Sequence, residues 1–173
     1  MISYDKYKEE LLESALKKDP ALRSEEEAIL YSPGVKALLS HYRAHELWVN
    51  GNLYEANELA FKSRMETGIE IHPGASIGRR CYIDHGMGVV IGETAEVGND
   101  CLIYHGVTLG AVENKIGKRH PTVGNDVMLG AGSVILGDIH IGDHVKIGAN
   151  AVVLEDVESH STAVGAPARV LKR

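Results

Sequence analysis

Aromatic residues are scarce in this chain: they make up 5% of its 173 residues, with one Trp and one Phe against 19 Gly. A core of aromatic layers is therefore excluded, and Ile, Val and Ala packed in a regular lattice are the natural substitute. Cysteine is nearly absent too, and Cys81 and Cys101 form neither a disulfide framework nor a metal-ligand spacing. No apolar run approaches the roughly 20 residues that cross a bilayer. The opening Met1-Ile2-Ser3-Tyr4-Asp5-Lys6 lacks the apolar stretch of a signal peptide. A soluble, cytoplasmic protein with no membrane partner is expected. Excess positive charge is also missing: a net charge of -6 speaks against a general nucleic-acid partner, which would need surplus Lys and Arg, while leaving room for a local basic pocket. The length fits one domain, or one domain with an appendage.

What the chain does have is a six-residue rhythm. Aliphatic residues, many followed by Gly, stand at Ile71, Ile77, Ile83, Ile91, Val97, Ile103, Leu109, Val123, Leu129, Ile135, Ile141, Ile147 and Val153. Such a pattern makes no stripe at 3.6 residues, and a helix would not survive so many glycines. A hexapeptide period predicts a parallel β-helix, three repeats closing one triangular coil of roughly 18 residues. Coils stack at ~4.8 Å, so equivalent positions form columns. Counting through the repeats places Ile83, Ile103, Leu129 and Ile147 in one column. Two residues further on stand His85, His105, Ala131 and Ala149. Small residues beneath two imidazoles leave a groove that suits a long, thin ligand. Cys81 and Cys101 share a slot otherwise held by small residues such as Ala75, Ala95 and Ser133, so both thiols are expected to be buried and inert.

Residues 1–68 are charged, poor in Gly and helical in pattern, ahead of a coiled body over 69–173. Ser24 with Glu27 reads as a capping box, Ser32-Pro33 as a cap and first-turn proline, and Asn52 with Glu55 as a third start. Val35, Leu38, Leu39, Tyr42, His45, Leu47 and Trp48 describe one packed face of a helix ending at Gly51.

The rhythm breaks twice, and insertions are where a solenoid places function. Between Ile83 and Ile91 two extra residues intrude around Asp84-His85-Gly86. Histidine titrates near neutral pH and can take a proton from a weak nucleophile, and Glu70, about one coil earlier, is placed to orient its ring. Between Leu109 and Val123 eight residues intrude beyond the period, and the break, 111–122, forms a loop that holds Lys118-Arg119-His120-Pro121. This arm points toward a ligand or a neighbouring subunit. A metal site shared between subunits by His85, His105 and His120 is an open alternative. His140 and His144 read as solvated turn residues, and His41, His45, His72 and His160 as ordinary.

Several stretches are specific enough to compare: Thr67-Gly-Ile-Glu-Ile-His-Pro-Gly-Ala75, Ile83-Asp-His-Gly-Met-Gly-Val-Val-Ile-Gly-Glu-Thr-Ala95, Tyr104-His-Gly-Val-Thr-Leu-Gly110, Gly117-Lys-Arg-His-Pro-Thr122 and Val164-Gly-Ala-Pro-Ala-Arg169. Together they resemble the serine O-acetyltransferase family, over at least residues 19–170. The resemblance implies a mainly β fold, a left-handed parallel β-helix of hexapeptide repeats with a short N-terminal α-helical region. It implies transfer of the acetyl group of acetyl-CoA to the hydroxyl of L-serine, giving O-acetyl-L-serine for cysteine biosynthesis, without a metal. His85 matches the family's general base and Glu70 its orienting carboxylate. Asp19, Asp84, Arg119 and His120 match its serine-binding residues, and Gly110, Ala131 and Ala149 its CoA contacts. Cysteine is the implied feedback inhibitor. The head is shorter than the family's larger N-terminal domain, which implies a homotrimer, with a hexamer left open. The chain ends at Leu171-Lys172-Arg173 without the family's isoleucine-terminated tail, so no stable complex with O-acetylserine sulfhydrylase is expected. Competing readings are acetylation of homoserine or a sugar, a hexapeptide-repeat carbonic anhydrase, and a non-catalytic scaffold.

Overall fold

The computed structural model describes residues 2–171; Lys172 and Arg173, part of the C-terminal segment used above to judge a sulfhydrylase partner, lie outside them. Four helices come first: α1 Tyr4–Lys18, α2 Glu25–Tyr31, α3 Pro33–Val49 and α4 Leu53–Thr67. Ser24 and Ser32 cap as expected, accepting the N–H groups of Glu27 (3.2 Å) and Val35 (3.3 Å). The Glu27 carboxylate reaches back one residue further than a capping box requires, to the N–H of Arg23 (2.9 Å). Asn52 precedes α4, but its side chain makes no cap bond. Helix α1, whose start the sequence pattern did not mark, is opened by Ser3 accepting from the Lys6 N–H. Among the described residues no helix is long and apolar enough to cross a membrane.

The body is a parallel β-helix of about five coils with three sheets. Sheet A holds Glu70–Ile71, Val90–Ile91, Thr108–Gly110, Val134–Leu136 and Val152–Val153. Sheet B holds Ser76–Ile77, Glu96–Val97, Thr122–Val123 and His140–Ile141, so His140 lies on a strand and not in a turn. Sheet C holds Tyr82–Asp84, Leu102–Tyr104, Met128–Leu129, Lys146–Ile147 and Thr162–Val164, and closes with Arg169–Leu171 running antiparallel to the strand before it. The register is the one the repeat predicts: Ile83 faces Ile103, Ile103 faces Leu129, and Leu129 faces Ile147. All four are fully buried. The small-residue slot is buried throughout, Ser133 and both free cysteines included, and burial is among the effects that push the Cys81 thiol up.

The helices close the first coil from below. Tyr7, Leu11, Leu12 and Ala15 of α1 and Val35, Ala37, Leu38 and Tyr42 of α3 join the aliphatic interior of the prism in one cluster. Gly34 lets α3 approach the first coil, because a Cβ there would overlap the carbonyl oxygen of Ile83. Glu10 of α1 receives a fork from Arg79, and the Ser14 hydroxyl donates to the Arg80 carbonyl (2.6 Å). A volume-increasing change at such a contact costs about 1–3 kcal/mol.

Under this cap His41 is buried and its Nδ1 has no partner among the described residues. Burial, reinforced by the neighbouring His45 and His72, lowers its pKa to about 3. The folded state therefore favours neutral His41, and this contribution to stability is complete above the unfolded value near 6.5 and is lost as pH falls toward 3. Stability measured by urea unfolding is expected to fall by up to roughly 1.4 kcal/mol per pH unit below pH 6.5 from this group. A folded His41→Phe protein should show a shallower slope between pH 6.5 and 5, and an unchanged slope would refute the assignment.

Candidate active site

His85 stands at the corner where sheet C turns into sheet A. It takes a left-handed backbone (φ 59°), followed by Gly86 and Gly88, both at φ 77°. A Cβ on Gly86 would overlap the Ile69 side chain, so glycine is required to close this turn. The imidazole is thereby turned outward, 76% exposed. One coil on, the His105 ring meets it edge to face, centroids 5.8 Å apart. Ala131 and Ala149 continue the column: the Gly132 N–H bonds the His105 carbonyl, and the Asn150 N–H bonds the Ala131 carbonyl, both at 2.8 Å. The column read from register is present.

Asp84 and Asp19 join His85 on this side. The Asp84 Oδ1 lies 4.0 Å from the His85 Nε2. Asp19 follows the end of α1, where its Oδ1 accepts from the Ala21 N–H (2.8 Å) and its Oδ2 from the Tyr82 hydroxyl (3.0 Å). Tyr82 shares the strand of Asp84. Burial raises its pKa, so it remains a protonated donor that fixes Asp19. Glu70 is arranged differently from the sequence reading. Its carboxylate pairs with Arg64 of α4 (Oε2 to Nη1, 2.9 Å), not with the His85 ring. The guanidinium in the last turn of α4 is a strong partner for that oxygen.

Arg119, His120 and Gly110 form a second group. Loop 111–122 folds back on Thr94, whose hydroxyl accepts from the N–H groups of Arg119 (3.0 Å) and His120 (3.1 Å). The Thr94 N–H (3.2 Å) and hydroxyl (2.9 Å) in turn face the Nδ1 of His120. An Nδ1 that accepts leaves the ring proton on Nε2. Burial and then the adjacent Arg119 cation lower the pKa of His120, which favours this neutral form. Arg119 pairs with Glu93 and holds its carboxyl below the usual range. His72, a half-buried ring packed edge-on against Trp48 (5.0 Å), stands nearby with its pKa lowered by burial. A cavity of about 390 Å³ lined by Trp48, Gly74, Glu93, Thr94 and Lys118 opens beside this cluster. Gly110 ends the sheet A strand that leads into the loop.

The two groups lie at opposite ends of sheet A. The strand Val90–Ile91 starts after the His85 turn and delivers the chain to Glu93-Thr94, so within one chain the sheet separates His85 from Arg119. Sequence reasoning singled out neither Tyr82, Thr94, Glu93 nor Arg64. Glu93 and Thr94 lay inside a motif stretch, but their partners come from an irregular loop that no register predicts. Among the described residues, no group of three His, Cys, Asp or Glu side chains is placed to hold a metal ion.

A family model described as bacterial transferase hexapeptide (six repeats) matches residues 120–155. A serine acetyltransferase of Helicobacter pylori (strain J99) is 55% identical over 162 residues, 94% of this chain and 95% of that protein. The chain belongs to the serine acetyltransferase family. Among solved serine acetyltransferases, that of Neisseria gonorrhoeae in complex with serine superposes with a TM-score of 0.94 at 39% identity, covering 98% of this chain and 69% of that one. Another, in complex with cysteine, gives a TM-score of 0.95 at 38% identity, covering 98% and 70%. As a family member the chain is an acyltransferase, and acetyl-CoA is the co-substrate its enzyme class implies. Removing the anchor of loop 111–122 tests the second group: Thr94→Val should leave the coils folded while trypsin cleaves after Lys115, Lys118 or Arg119 roughly tenfold faster, the equivalent of one to two net hydrogen bonds.

Proposed function

We propose that this chain transfers the acetyl group of acetyl-CoA to the hydroxyl of L-serine, giving O-acetyl-L-serine for cysteine biosynthesis in the cytoplasm. The observation that carries the reading is the outward His85 at the head of a column running past His105, Ala131 and Ala149, with Asp84 beside it and Asp19 held by Tyr82 of the same strand. A serine hydroxyl is a poor nucleophile until a base removes its proton. His85 takes that proton as the oxygen attacks the thioester carbon, and the imidazolium then protonates the departing thiolate, so one ring serves as base and acid. Glu70, paired with Arg64 in the free chain, is the carboxylate that turns to orient the ring once substrate is bound. Asp19 and Asp84 receive the serine ammonium, Arg119 and His120 its carboxylate. Gly110, Ala131 and Ala149 contact CoA, their small side chains leaving room for its pantetheine arm. Cysteine differs from serine by one atom and competes for the same groups, in keeping with the relative that binds it.

The separation of His85 from Arg119 supports a site shared between subunits of a homotrimer. Beside Glu70, the outward residues Val90, Thr108, Val134 and Val152 of sheet A, and Leu102 and Met128 of sheet C, are only partly buried and mostly apolar, whereas Lys146 of sheet C and Ser76, Glu96 and His140 of sheet B are exposed. Packing sheet A of one copy near the His85 corner of another brings the two groups together and covers this apolar surface.

Thiol release from acetyl-CoA, with serine compared against homoserine and sugars, tests the acceptor; no release above background with serine ends the reading. His85→Ala should lower turnover by roughly 10²–10⁴ with folding intact. Mixing inactive His85→Ala and Arg119→Ala chains should restore part of the activity, since some interfaces then carry both native residues. Failure of mixed trimers to regain any activity would contradict a shared site.

A further inference from the structure

The Arg64–Glu70 pair links α4 to the corner that carries His85. Helix α4 ends at Gly68 in left-handed backbone (φ 70°), its N–H bonded to the Arg64 carbonyl at 2.8 Å. The Gly68 carbonyl accepts the Gly88 N–H (3.0 Å), which ties the helix end to the His85 turn. Met87, from that same turn, packs over Gly68 so closely that a Cβ there would overlap its sulfur. Glu70 is joined to the turn as well, through its N–H to the Val89 carbonyl (2.9 Å) and from the Val89 N–H to the Gly86 carbonyl (3.0 Å). Arg64, Glu70 and His85 thus share one short, hydrogen-bonded frame.

We infer that Arg64 is a positioning residue for the acetyl transfer, holding Glu70 by one carboxylate oxygen so that the other is presented to His85. The inference rests on the base and orienting roles proposed above for His85 and Glu70. A carboxylate offers two oxygens, and the closest approach of Arg64 is to Oε2, at 2.9 Å. The guanidinium also offsets the carboxylate charge near the imidazole. The other charged or titratable groups around His85 are Asp84 on its own strand, His105 of the next coil and Asp19 beyond α1. On α4 the neighbouring Glu66 is engaged by Lys36 at 3.0 Å. Both partners of the pair are substantially exposed, Arg64 56% and Glu70 41%, and such pairs add little to stability. Its loss should therefore register in the reaction and not in the fold.

The test compares Arg64→Gln and Arg64→Lys with wild type, His85→Ala and Glu70→Gln in the thiol-release assay over a range of pH. Arg64→Gln is expected to lower kcat roughly tenfold, the size of one charge-assisted hydrogen bond, with the KM for serine unchanged. The acidic limb of its rate profile should move to higher pH, because an uncompensated Glu70 carboxylate favours the imidazolium. Arg64→Lys should recover most of the rate, and Arg64→Gln should add no loss on top of Glu70→Gln. Wild-type rate and pH limb in Arg64→Gln, or an equal loss with and without Glu70, would overturn the role of Arg64 while His85→Ala stays inactive. Full rate in His85→Ala would instead overturn the underlying site.

Discussion

Each coil of the body hands its backbone hydrogen bonds to the next in strict register, and nearly everything else depends on that. The Tyr82 N–H bonds the Cys101 carbonyl, Leu102 the Val127 carbonyl, Met128 the Val145 carbonyl and Lys146 the Ser161 carbonyl, all at 2.9–3.0 Å. A chain locked this way cannot slip by one residue, since a slip would turn the buried aliphatics to water. Its corners are then vertical lines of equivalent residues. The His85 corner is useful because one of those lines carries imidazoles at the bottom and alanines above. A column of defined length results.

This dependence also explains what the sequence could tell in advance. Ile83, Ile103, Leu129 and Ile147 could be paired from spacing alone, and with them the histidine and alanine column, because the coil leaves one solution. Ser24 and Ser32 were legible as caps for a similar reason: their action is local. The partners of Glu70, Arg119 and Asp19 were not. Arg64 reaches Glu70 from the end of a helix, Glu93 and Thr94 meet an excursion outside the repeat, and Tyr82 meets Asp19 across 63 residues. No periodicity relates such pairs. His72 was dismissed as ordinary because nothing in the sequence shows Trp48 or the Arg119 cluster beside it.

Charge in the second group is organised by burial as much as by pairing. His72 and His120 are both driven toward the neutral ring, while Glu93 is held ionised against Arg119. The positive charge of this half-buried cluster is thereby concentrated on Arg119 and balanced by Glu93. The single hydroxyl of Thr94 sets this arrangement, since it grips both Arg119 and His120.

The final strand, Arg169–Leu171, runs opposite to every other in its sheet. A stack of identical coils has two open faces, each a template on which another stack could grow into a filament without limit. At the lower face α1 and α3 replace the next coil with side chains, and at the top of sheet C the reversed strand presents the wrong polarity for a parallel continuation. The molecule therefore has a definite height. The His85 column keeps a fixed number of rungs.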